Sequence, residues 1–266
     1  VVRFFILAFS IVIYSVAFAQ ESRDYNWQLG LFSNSSTHPE AQSIEMKFGD
    51  SGILIDTFFR VAGFYFFNAS ISGENGNLLL YSNGCNIRDS NHKMLASTSH
   101  LNHGDVDIEW CNGNYGYPIS DGGFFLPFLG DSILVLIHQR MITESNPTQV
   151  ISDSLFYTSV KLEDGEYSLL EKSIPIVGGH LTNGNVEAVK ASKPGAWWIM
   201  QSKKRSNQYL SILLDSAKVN TIISYFIGDT AIDGSAAGQS SFSPDDSKYA
   251  RYAPRDDLFF FDFDRG

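Results

Sequence analysis

The chain has 266 residues, with 19 Lys and Arg against 29 Asp and Glu and a formal charge of −10. Its only compact basic cluster is Lys203-Lys204-Arg205, which argues against nucleic acid or an anionic membrane as a partner. The 21 Phe, 12 Tyr and 4 Trp suit a protein made of many short strands, and no shift in composition divides the length into two domains.

At the start, Arg3 precedes an apolar run from Phe4 to Val16, and Ala17-Phe18-Ala19 forms a small-x-small site before Gln20. That order predicts a secretory signal peptide over residues 1–19, with an apolar run too short to favour a membrane span. Every later apolar run is broken by Gly, Asn, Ser or Asp, so no transmembrane segment is expected. The mature chain is expected outside the cytoplasm, secreted or on the outer cell surface. Its route there is the export machinery that reads the signal.

Beyond the signal the pattern is strand, polar turn, strand, with helical periodicity almost absent. Gly63–Ser72, the turn Gly73-Glu74-Asn75-Gly76 and Asn77–Gly84 read as one hairpin. A second unit joins Asp131–Arg140 to Asp153–Leu162 and passes through Asp164-Gly165 into Glu166–Ile176. A third runs through Ala188–Lys193, Ala196–Lys204, Gln208–Ser216 and Val219–Gly228. A fourth begins with a Ser-Pro-Asp-Asp turn inside Phe242–Tyr252 and ends, after about two strands, in the aromatic run that closes at Gly266. Second strands aligned near Phe64, Ile133, Trp197 and Lys248 are spaced somewhat more widely than the roughly 40 to 50 residues of common propeller repeats. The repeat of four strands predicts an all-β fold of antiparallel β-propeller blades, about three and a half of them, rather than a β-sandwich.

Cys85 and Cys111 are the only cysteines. In an oxidising compartment they read most simply as one disulfide, with two buried thiols as the alternative. They lack the close spacing of zinc ligands. Between them, His100, His103, Asp105, Asp107 and Glu109 crowd into ten residues. The alternating acids Asp105, Asp107 and Glu109 offer oxygen ligands for calcium, but the run lacks the Gly and distal Glu of an EF-hand. A solvated acidic loop is the competing reading, and no other cofactor is implied.

On the last strand Asp262 and Asp264 alternate with Phe261 and Phe263, placing carboxylates on one face and rings on the other. Trp197-Trp198 similarly sends one ring inward and offers the other as a surface for a ligand. Two acids on one strand are only suggestive of a glycosidase pair. No nucleophile elbow or phosphate loop occurs, because Gly178-Gly179-His180 lacks the Lys and spacing of a P-loop. The sequons at Asn34 and Asn68 would matter only in a eukaryotic secretory path.

The segment Ser70–Leu95 resembles exported proteins of Bacteroidetes-type bacteria, in which a strand ends in an Asn-Gly-Asn-Leu-Leu run, a Tyr-x-Asn-Gly-Cys run and an Asn-His pair. The similarity continues through Cys111–Pro118, Phe124–Gln139, Leu181–Met200 and Gly238–Tyr252. It spans nearly all of the mature chain, residues 20–266. The resemblance implies a WD-repeat-like β-propeller, often followed by a C-terminal sorting domain for type nine secretion, a segment not expected here. Two features depart from that pattern: Ala96–Cys111 replaces an Asn-Gly-Asp-Gly run, and Asp246 stands where the propeller turn usually has Gly. The expected function is a non-catalytic binding module for a protein or glycan partner, carried on loops of one face. The alternatives are a secreted enzyme acting on polysaccharide or peptide, or a truncated fragment without an independent role. Acids converging at one mouth of the ring with a raised pKa would favour the enzyme.

Overall fold

The computed structural model describes residues 22–30, 43–49, 52–58, 60–113, 115–145, 148–230, 238–252 and 258–266. The expected signal segment 1–19 and the sequon at Asn34 lie outside these residues. Among the described residues there are five antiparallel sheets, each made of strands consecutive in sequence. The first holds β1 (Asn26–Leu29), β2 (Ser43–Gly49) and β3 (Gly52–Phe58), and the second β4 (Ala69–Ser72), β5 (Leu78–Ser82) and β6 (Ile87–Asp89). The third holds β7 (Gly123–Phe128), β8 (Ile133–Ser145), β9 (Thr148–Glu163) and β10 (Glu166–Leu181). The fourth holds β11 (Glu187–Lys190), β12 (Ala196–Ser202), β13 (Gln208–Asp215) and β14 (Lys218–Phe226). The fifth holds β15 (Gln239–Phe242), β16 (Lys248–Tyr252) and β17 (Leu258–Asp262).

The all-β class therefore holds, with corrections in detail. Five sheets stand where about three and a half units were expected, because β1 to β3 carry too little regular alternation to announce themselves. The terminal unit has three strands rather than two. Of the stretch Gly63–Ser72 only Ala69–Ser72 is strand, so Phe64 does not begin a second strand; that strand is β5, from Leu78. Backbone bonds from Phe64 N–H to Gly30 and from Phe67 N–H to Tyr117 hold the preceding stretch as a connector instead.

Local chemistry sets the turns. Asp164 (φ 51°) and Gly165 (φ 83°) join Glu163 to its partner Glu166, the pair of left-handed residues a two-residue hairpin requires. In the terminal turn Asp246 takes φ 61°, the left-handed position expected of it. Asp245 accepts hydrogen bonds from Ser243 Oγ and from Ser247, which pull its carboxyl down to about 2.

Successive sheets pack face to face. Ile71, Leu80 and Ile87 of the second sheet meet Phe125, Leu134 and Leu136 of the third. Val135, Ile137 and Leu155 of the third meet Ile199, Leu210 and Ile212 of the fourth. Met200 and Tyr209 of the fourth meet Tyr249 of the fifth. The first two sheets are joined by polar groups: Asn26 Nδ2 donates to Ser72 Oγ and Ser70 Oγ donates to Asn26 O. Buried Arg60 in the connector donates to Ala62 O, to Gln28 Oε1 and to Leu29 O, and lies 4.3 Å from the Phe64 ring centroid. The first strands of neighbouring sheets also run side by side, β4 between β1 and β7 and β15 beside β11.

Candidate functional site

Adjacent tryptophans face opposite neighbours, because side chains alternate along β12. Trp197 packs into the core shared with the third sheet, and its Nε1–H donates to Pro127 O at 3.2 Å. Trp198 turns toward the fifth sheet, where its Nε1–H donates to Arg265 O at 2.9 Å. Register extends the second face across the fourth sheet: Met200 pairs with Ser211, and Tyr209 with Tyr225. From the fifth sheet Tyr249, Phe261 and Phe263 close in, with Tyr209 and Phe261 centroids 4.8 Å apart. The result is a cleft of about 280 Å³ with aromatic walls, lined also by Ile227, Asp262 and Asp264.

The alternation expected for the last strand is present. Phe261 and Phe263 pack against the core, while Asp262 and Asp264 are exposed at the rim of the cleft, Asp262 paired with Lys248. Sequence reasoning singled out Trp198 and these two acids. It did not connect them with Tyr209 or Tyr225, which meet them only through strand pairing.

The acidic run lies elsewhere and is a helix, not the solvated loop offered as its competing reading. The helix α1 spans Asp105–Cys111. Residues two apart on a helix diverge, so the three acids do not share a face. Asp105 is exposed, and hydrogen bonding to Thr143, chiefly through that residue's side chain and also through its N–H at 3.1 Å, lowers its pKa. Glu109 is exposed as well, whereas Asp107 is buried, its Oδ2 2.5 Å from His100 Nδ1. His103 instead meets Arg140 at 2.9 Å. Among the described residues no group of three or more His, Cys, Asp or Glu converges to hold a metal ion. At the end of α1, Cys111 is joined to Cys85 as a disulfide, with Cα atoms 5.4 Å apart.

An acid that sequence reasoning passed over has a shifted pKa. Burial pushes the Glu187 carboxyl up to about 7, with the charges of Asp121 and Asp24 adding to the shift. Its position at the start of β11 gives no local signal, because the neighbouring acids arrive from distant segments. No helix among the described residues is long and apolar enough to cross a membrane. Comparison with known proteins gives no matching family model and no matching curated protein.

Proposed function

We infer that the chain is an exported, non-catalytic β-propeller-type module whose partner is a protein, held as an extended segment along β17. The single observation behind the binding mode is the aromatic cleft beside that strand. β17 pairs with β16 on one side and is the edge of its sheet among the described residues. An added strand there would satisfy its own backbone on β17 and insert every second side chain between Tyr225, Ile227 and Trp198. Asp264 and the chain's net negative charge favour basic residues at the outward positions. The propeller reading is supported by consecutive-strand sheets stacked face to face with their first strands side by side. The disulfide is compatible with an oxidising, extracellular setting.

The test is fluorescence anisotropy with a labelled octapeptide that alternates Lys with Val or Leu. Binding that weakens about tenfold or more in Ile227→Glu, and equally when alternate peptide nitrogens are methylated, supports strand addition. Binding indifferent to N-methylation, or none at all, rejects it.

A secreted enzyme is the second reading, favoured by Glu187, whose raised pKa suits a general acid near neutral pH. Hydrolysis of a polysaccharide or casein by the full chain, abolished in Glu187→Gln, would replace the binding reading. Absence of turnover on both removes this one.

A further inference from the structure

Behind the aromatic cleft, the interface of the fourth and fifth sheets encloses a guanidinium that forms no salt bridge with any described residue. Tyr249 and Arg251 stand two residues apart on β16 and face the fourth sheet together. Arg251 is fully buried. Its Nη1–H reaches Tyr209 Oη at 3.4 Å, and its guanidinium carbon lies 5.8 Å from the Phe259 ring centroid. Along the other edge of the guanidinium neither Nε nor Nη2 has a hydrogen-bond partner among the described residues. Those two N–H groups are parallel and spaced to match the two oxygens of one carboxylate.

The surroundings share the same deficit. Ser240, buried and directly across the strand pair from Arg251, has an unpartnered Oγ. Tyr249 Oη is also buried without a partner, and burial raises the phenol's pKa, which keeps it a proton donor. The two hydroxyls are near enough to influence one another, yet neither forms a bond of acceptable geometry. Glu187 acts on Tyr249 only through its charge, while its carboxylate accepts from Ala188 N–H. Four buried donor atoms at one place, one pair of them charged, are costly to leave unpaired. Native interiors satisfy nearly all such groups.

We propose that Arg251, with Ser240 and Tyr249, forms a binding site for a carboxylate. The Arg251 Nε–H and Nη2–H fork takes both carboxylate oxygens, and the two hydroxyls donate to the remaining lone pairs. The four donors, two on the fork and two hydroxyls, match the roughly four acceptor sites of one carboxylate. The carboxylate belongs either to a small organic acid or to an acidic side chain on a peptide. The site adjoins the cleft through Tyr249, which lines it, whereas Arg251 and Ser240 lie behind the cleft wall.

The experiment is thermal unfolding of the full chain in rising sodium formate, with sodium chloride holding ionic strength constant. The expected result is a midpoint that climbs with formate concentration, as binding to the folded state requires. Arg251→Lys keeps the charge but loses the fork, so its midpoint should no longer respond to formate. Should that variant fail to fold, Ser240→Ala and Tyr249→Phe each shift the response to higher formate. An Asp-containing tripeptide acting at lower concentration than formate assigns the carboxylate to a peptide; formate acting alone assigns it to a small acid. Equal midpoints in formate and chloride, or an undiminished formate response in Arg251→Lys or in both hydroxyl variants, overturn the proposal.

Discussion

His138 Nδ1 lies 2.7 Å from Asn102 Oδ1, and this contact ties the third sheet to the segment that crosses between Cys85 and α1. It is one link in a buried chain. Asn102 donates from Nδ2 to Gly84 O, the far ring nitrogen of His138 meets Thr158 Oγ1 at 2.9 Å, and Thr158 Oγ1 accepts from Ser173 N–H. With Thr158 accepting from the backbone, its own proton is free for His138 Nε2, so the imidazole is neutral with hydrogen on Nδ1.

Removing that ring leaves Asn102 Oδ1 and the Thr158 hydroxyl proton without their His138 partner in a closed space. His138→Ala is expected to cost about 3 kcal/mol in urea unfolding at neutral pH. Burial, with help from the charges of His103 and Lys172, depresses the His138 pKa to about 3. A depressed imidazole binds its proton more weakly when folded, so its contribution is complete above the unfolded value near 6.5 and is lost as pH falls toward 3. His138→Gln should flatten the stability slope across that window by about one proton.

Glu187 has the opposite sign. Its raised carboxyl binds a proton more tightly in the folded chain, so stability is greatest below the unfolded value near 4.5 and declines as pH rises through about 7. Glu187→Gln is expected to remove that decline, at most about 3 kcal/mol, and to leave the variant more stable than the parent at pH 8. Urea midpoints measured across the range decide it. Parallel curves for both proteins would contradict the assignment.

The disulfide closes a loop between residues 26 apart in sequence. Chain entropy gives such a cross-link about 3.5 kcal/mol, so the double variant Cys85→Ala, Cys111→Ala should lose close to that amount by chemical denaturation. Residues of the Cys85–Cys111 loop should lose hydrogen-exchange protection first, because the link fastens α1 to the second sheet.

Gly84 sits at φ 80° where the chain turns toward Cys85, and a Cβ there would meet Tyr117 Cβ at 2.5 Å and Phe67 Cγ at 2.9 Å. Both rings are buried in the core shared by the second and third sheets. Gly84→Ala therefore combines left-handed strain with overpacking and is expected to cost about 3 kcal/mol or more, read as a lowered thermal midpoint.

Several features are legible in the residues alone. Asp164-Gly165 marks a hairpin because the turn needs two left-handed residues, a requirement local to the dipeptide. The strands around Ile133, Ser154, Trp197 and Tyr209 are marked by β-branched and aromatic runs, buried on both faces through most of their length. The short α1 is not legible, because seven residues with acids at alternate positions also fit a loop. Its helical form depends on Val106 packing in the core and on the cross-link at Cys111. Phe64 resembles strand for its aromatic neighbours, yet it packs beside Arg60 and Tyr81 from a connector.

By itself the sequence determined the all-β class, most of the strands from β8 onward, the turns that join them, and the alternation of rings and carboxylates at Phe261 to Asp264. Those properties depend on backbone dihedrals and on side-chain periodicity within a few residues. Tertiary structure alone decided that there are five sheets among the described residues and that Trp198 and Tyr225 share a cleft. It also decided that Glu187 feels Asp121 and Asp24, and that Arg251 is buried with Nε and Nη2 unpartnered among the described residues. Each of these depends on which distant surfaces are brought into contact, and burial and electrostatics act through that contact rather than along the chain.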